Sequence, residues 1–204
     1  IMDALNEPGI HSIVVMSSAQ VGKTEIINNL IGYHIHQDPS PMLVLQPTIE
    51  MASTWSKDRL APMVRDTPEL NAMISQAKSR DSQNTILHKN FPGGHVTMAG
   101  ANSASSLASR PVRVVCCDEV DRYPLSAGTE GDPVSLAKKR ASTFWNRRFI
   151  MTSTPTIKDA SRIEQFYEQS DQRRYYINCP SCDYETTLIW EHIKFVDRDP
   201  DTAA

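Results

Sequence analysis

Apolar positions along this chain alternate between two rhythms. Short runs at Ile13 to Met16, Met42 to Gln46, Gly94 to Ala99, Val112 to Cys117 and Phe149 to Ser153 end in Pro, Ser, Gly or acidic residues. Runs of that length and β-branched content predict buried strands. Between them the spacing turns helical: Ile27, Leu30, Ile31 and Ile35 share one face before DPSP stops the helix. Ile49 to Leu60 reads as a helix with Trp55 inward, Arg65 to Lys78 as a weaker one, and the stretch from Lys158 to about Gln169 as a polar amphipathic one. Tyr123 to Pro133, rich in Gly, Pro and Ser, reads as a mobile loop, and Tyr175 to Asn178 as a strand running into CPSC. Strand and helix units in turn predict an α/β fold, a mainly parallel sheet flanked by helices on both faces.

Composition changes this picture little. At 204 residues, 40% hydrophobic and 22% charged, the chain suits one globular domain with a small appendage. Lys plus Arg is 21 against 24 for Asp plus Glu, a net charge of −3, so contact with nucleic acid has to come from a local patch. The densest basic stretch is Lys138, Lys139, Arg140, Arg147 and Arg148. No run is long and apolar enough to span a membrane, and IMDALNEPGIH lacks the basic and apolar regions of a signal peptide. The expectation is a protein neither secreted nor membrane-spanning by its own signals.

Candidate chemistry sits at two strand ends. Ser17, Ser18, Ala19, Gln20, Val21, Gly22, Lys23 and Thr24 follow the first strand and precede the first helix. A phosphate-binding loop needs that placement, because its backbone N–H groups and the helix N-terminus then face the phosphates. Gly22 allows close approach, Lys23 supplies charge to the β- and γ-phosphates, and Thr24 offers a hydroxyl to Mg²⁺. The pattern usually opens with Gly or Ala, and here Ser17 stands there. GKT alone also fits a surface turn with a solvated lysine. The stretch VRVVCCDE alters the balance, since a buried strand ending in two carboxylates can deliver Asp118 to the Mg²⁺ shell and Glu119 to an attacking water. The paired motifs predict a P-loop NTPase of the ASCE type that binds ATP.

Four cysteines form two unlike pairs. Cys116 and Cys117 lie within an apolar strand and read as small buried hydrophobes. Cys179 and Cys182 have the spacing of two ligands on one Zn²⁺, half of a tetrahedral site, with His192 and Asp183 as candidate completions.

SSAQVGKT, LVLQPT, GANSASSLASRPVRVVCCDEVDRYP and TSTPT follow one another in an order that resembles the large terminase subunits of tailed bacteriophages, specifically the ATPase domain of the lambda-like branch. The resemblance spans roughly Ile10 to Phe195. It implies an ATP- and Mg²⁺-dependent motor in the host cytoplasm that drives double-stranded DNA into a procapsid. Its implied partners are a small terminase subunit and the portal, and it works as a homo-oligomeric ring. It further implies a motor domain over residues 1–172, and over 173–204 a partial zinc-ribbon-like linker toward a C-terminal nuclease. Residues 1–204 hold no carboxylate cluster for cleavage, and Zn²⁺ is expected only with ligands beyond them. Carried over by position, Lys23 and Thr24 are phosphate-loop residues, Asp118 and Glu119 the metal-binding and catalytic acids, and Thr152, Ser153 and Thr154 the coupling motif. TSTPT also fits a capped turn. The arginine that the family often carries inside its phosphate loop is missing, because Ala19 and Gln20 stand there. A finger supplied in trans is the expected substitute, with Arg110 the candidate and Arg80, Arg140, Arg147 and Arg148 behind it. LVLQPT and TSTP also resemble helicase motifs, so a helicase-like or remodelling ATPase is the alternative enzyme. A non-hydrolytic ATP-binding assembly module is the alternative from another class.

Overall fold

The computed structural model describes residues 1–74, 84–107, 111–187 and 189; the expectations placed on Arg80, Arg110 and His192 fall outside them. After a single turn at Asp3–Leu5, β1 (Ser12–Met16) leads into α1 (Lys23–His36), followed by β2 (Pro41–Gln46) and α2 (Ile49–Trp55). A π-helical stretch, Ser56–Leu60, joins α2 to α3 (Ala61–Asp66), and α4 (Pro68–Met73) follows. Then come the strands β3 (His88–Phe91) and β4 (Gly94–Gly100), α5 (Ala104–Leu107), β5 (Val114–Asp118), a 3-10 turn at Val120–Arg122, α6 (Pro133–Arg140), β6 (Arg148–Ser153) and α7 (Arg162–Glu168). The chain divides into one compact unit over Ile1–Glu168 and a second over Gln169–Ala204, whose described part holds the hairpin β7 (Ile177–Asn178) and β8 (Glu185–Thr186). No helix among the described residues is long and apolar enough to cross a membrane.

The large sheet has six strands in the order β1-β6-β5-β2-β4-β3, parallel throughout except for β3 against β4. Alternation along each strand feeds two cores. Met42, Val44, Val114, Cys116 and Ile150 face the layer of α1, where Ile27, Leu30, Ile31 and Ile35 are all fully buried. Leu43, Leu45, Val115, Cys117, Phe149 and Met151 face the other way, toward Val134, Leu136 and Ala137 of α6 and Ile163 of α7. Burial on both faces explains why the strands read as nearly unbroken apolar runs. Each fully buried Ile or Leu contributes about 1.5–3 kcal/mol.

Parallel pairing also aligns the strand ends. Val15 and Asp118 both pair with Thr152, and Met16 pairs with Ser153. The phosphate-loop strand, the acidic strand and the TST strand therefore finish side by side, at the edge where parallel sheets bind ligands. Gly100 ends β4 against the start of α2, where a Cβ would stand 2.5 Å from the Ile49 nitrogen, so only a bare backbone passes there.

Two expectations need correction. The helix expected from Arg65 to Lys78 is broken at Thr67, which is extended (φ −111°, ψ 105°) because Pro68 disfavours the helical region before it. Val112 to Cys117 shifts to Val114–Asp118, so the strand carries its own acid. The loop expected over Tyr123 to Pro133 keeps its bounds to within a residue, since Asp132 accepts from the Ser135 N–H at 2.8 Å and Pro133 opens α6.

Candidate nucleotide-hydrolysis site

The loop between β1 and α1 is shaped by two left-handed residues, Gln20 (φ 61°) and Gly22 (φ 85°). Nothing lies within 4 Å of where a Cβ on Gly22 would stand, so dihedral angle rather than crowding demands glycine. Ser17 donates its N–H to the Ser153 carbonyl at 3.3 Å, fastening the loop's start to the end of β6. Residues 18 to 22 are exposed, and the first amides of a 14-residue helix open behind them. Unpaired N–H groups at that end favour an anion.

Lys23, by contrast, is only 6% exposed. Its Nζ donates to Thr154 Oγ1 at 2.9 Å and to the Ser18 carbonyl at 3.2 Å, and it lies 3.6 Å from Glu119 Oε1. Asp118 is 3% exposed and accepts from Thr152 Oγ1 at 2.6 Å, Gln46 Nε2 at 3.2 Å and, at the limit of 3.5 Å, Thr24 Oγ1. All three donors are neutral. A buried carboxylate ringed by neutral donors, with a threonine hydroxyl alongside, offers the hard oxygen ligands that Mg²⁺ takes. Glu119 adopts a left-handed conformation (φ 55°, ψ 49°), costing roughly 1–2 kcal/mol for a residue with a Cβ. Its carboxylate meets Lys23 on one side and Arg122 Nε, also at 3.6 Å, on the other.

The three consecutive hydroxyls at and just beyond the end of β6 each hold a different part. Thr152 holds Asp118; Ser153 accepts the Asp121 N–H at 3.2 Å; Thr154 holds Lys23. Sequence reasoning grouped them as one coupling cluster and did not single out Gln46, Asp121 or Arg122. Gln46 had a usable signal, because a polar residue closing the apolar run LVLQ stands where Asp118 closes VVCCD.

Elsewhere, burial pushes the Cys116 thiol well up and the Cys117 thiol up to about 12, so both stay protonated fillers as expected. Cys179 and Cys182 occupy the turn between β7 and β8, where Cys179 donates its N–H to the Tyr184 carbonyl at 2.9 Å and Asp183 is left-handed (φ 58°). N–H groups of Ser181 and Cys182 hold the Cys179 thiol below its ordinary range. Among the described residues no third ligand joins the pair, and Asp183 instead accepts from Asn178 Nδ2 at 2.9 Å. The basic stretch is largely occupied within the fold. Lys138 lies over the Phe166 ring at 4.7 Å, Arg140 donates to the Leu107 carbonyl at 2.6 Å and Arg148 to the Leu5 carbonyl at 2.8 Å, leaving Lys139 exposed.

The family model described as phage terminase large subunit gpA, ATPase domain, matches residues 1–204. The chain is similar to the large terminase subunit of Enterobacteria phage P21, 29% identical over 199 residues that are 97% of this chain and 30% of that protein. It is likewise similar to the large terminase subunit of Escherichia phage lambda, 27% identical over 201 residues, 98% of this chain and 31% of that one. It thus spans under a third of the length of these relatives. The crystal structure of the HK97 bacteriophage large terminase shares the fold, with a TM-score of 0.61 at 16% identity over 78% of this chain and 32% of that one.

Proposed function

This chain belongs to the gpA ATPase-domain family of phage terminase large subunits, and on that premise we propose that it hydrolyses ATP with Mg²⁺ to power packaging of double-stranded viral DNA. The observation that carries the reading is the convergence of Lys23, Thr24, Asp118 and Glu119 at adjacent strand ends. Lys23 and the loop amides bind the phosphates, and an incoming phosphate replaces the Thr154 hydroxyl and the Glu119 carboxylate as the ammonium's partners. Thr24 and Asp118 would hold Mg²⁺, which supplies charge neutralisation to the phosphates. Glu119, once separated from Lys23, orients the attacking water, and Thr152 and Gln46 keep Asp118 in place. The family match favours a packaging motor over the helicase-like alternative.

The finer parts of the reading follow the same premise. Residues 1–172 act as the motor domain and 173–204 as a linker that carries a partial zinc-ribbon-like turn. A procapsid with its portal, a small terminase subunit and further copies in a ring are the partners, in the host cytoplasm, and Arg110 is the finger offered to a neighbouring subunit. Cys179 and Cys182 are half of a structural Zn²⁺ corner. No nuclease role is assigned to residues 1–204. Titration calorimetry with ATP tests the core of the proposal. Lys23→Ala should weaken binding about a hundred-fold, the size of a charge-assisted contact of about 2–3 kcal/mol. Unchanged affinity would remove the phosphate-loop assignment.

A further inference from the structure

The turn that follows Glu119 is fastened to the segment after β6 chiefly through the Asp121 side chain. Asp121 lies two residues beyond Glu119, in the 3-10 turn at Val120–Arg122. Its Oδ1 accepts the Ile163 N–H at 2.7 Å, and its Oδ2 accepts both the Thr156 N–H at 3.0 Å and the Thr156 hydroxyl at 3.1 Å. The Ser161 hydroxyl bonds the same carboxylate. Its own N–H is taken by Ser153 Oγ. Burial pushes this carboxyl up, yet the donors from Ile163, Ser161 and Thr156 outweigh that effect and leave it below its ordinary range. Arg162 repeats the link from the other side, donating to the Val120 carbonyl at 3.1 Å and the Pro124 carbonyl at 3.2 Å.

From this geometry we propose that Asp121 is a positioning residue that transmits displacement of the Glu119 turn to the Thr154–Ile163 segment and α7. The proposal rests on the ATPase reading above. Glu119 is bound to Lys23, and Lys23 to Thr154. When phosphate draws Lys23 away, both Glu119 and Thr154 lose a partner at once, and each sits on an arm of the Asp121 clasp. A rigid carboxylate with donors on residues 156, 161 and 163 moves those residues as a body. Helix α7 is the last helix of the first compact unit, and the second unit begins at the next residue after Glu168.

Hydrogen exchange resolved at the Thr156 and Ile163 amides, with no nucleotide, with ADP and with a slowly hydrolysed ATP analogue, tests the clasp. The unaltered chain should bind nucleotide and change protection at both amides by about ten-fold or more between states, the size of one charge-assisted bond. Asp121→Ala should keep nucleotide affinity within about three-fold, exchange fast at both amides in every state, and lose phosphate-release rate through kcat rather than KM. Asp121→Asn, which keeps one acceptor oxygen, should restore part of the nucleotide response. Nucleotide-dependent protection that persists in Asp121→Ala would overturn the proposal, as would protection in the unaltered chain that ignores a nucleotide it demonstrably binds. Failure of the unaltered chain to bind nucleotide would instead remove the ATPase reading beneath it.

Discussion

At the scale of single residues, the site is a set of neutral hydroxyls and amides assigned one by one to charged groups. Thr152 illustrates it: a fully buried hydroxyl bonded at 2.6 Å to the carboxylate that would hold Mg²⁺. Thr152→Val keeps the shape and removes the donor, at a cost of about 1.5–3 kcal/mol to the orientation of Asp118. Phosphate release followed against Mg²⁺ concentration should fall about ten-fold or more in kcat and need more Mg²⁺ for half-saturation; an unchanged Mg²⁺ dependence would show that Thr152 does not serve the metal site. Lys23, Asp118 and Glu119 were legible in the sequence because a loop and a strand end announce them. Gln46 was legible as the polar end of LVLQ but not as a partner of Asp118, which strand order decides, and Asp121 was hidden because its role depends on a loop returning to the 3-10 turn, which local spacing does not encode.

Elements were legible in proportion to how strongly both faces are buried. The α1 face and the β2, β5 and β6 runs matched their patterns, whereas β3, an edge strand of four residues reading HKNF, carries no apolar rhythm. Helix α6 escaped for a related reason: in eight residues its four apolar positions are broken by Ser135 and followed by three basic residues. Leu30→Ala should lower unfolding free energy by about 2–5 kcal/mol, since Leu30 is fully buried against the sheet; denaturant unfolding measures it. At the opposite end of α1, His34 is held below its ordinary value of 6.5, chiefly by burial and against the raising influence of Asp38. The folded chain therefore binds fewer protons on His34 than the unfolded chain. Its neutral form is no handicap above 6.5, and stability should drop as pH falls from about 7.5 to 5.5. Arg113, paired with Asp38 and donating to Ser40 Oγ at 2.8 Å, bears on the same imidazole and lowers its proton affinity. Unfolding curves at both pH values should show a smaller drop in His34→Gln, and an equal drop in both chains would assign it to other groups.

For the whole molecule, the proposed nucleotide site lies at one sheet edge of a chain that belongs to the family of phage terminase large subunit ATPase domains. If a neighbouring copy supplies a cation to the site, phosphate release per chain should rise with protein concentration, toward a gain of roughly 10³–10⁵ in a complete ring. A rate per chain that is flat across concentrations where association is demonstrated would place the cation within the same chain.

The most direct test of the central claim separates binding from chemistry at Glu119. This residue sits beside the phosphate-loop lysine without being part of the loop, so it should act on the water in the transition state rather than on the bound ground state. ATP affinity and single-turnover phosphate release are to be measured on the unaltered chain and on Glu119→Gln, which keeps size and hydrogen bonding and removes the charge. The account predicts affinity within about three-fold and release slowed by about a hundred-fold or more. Release at the unaltered rate in Glu119→Gln would contradict it.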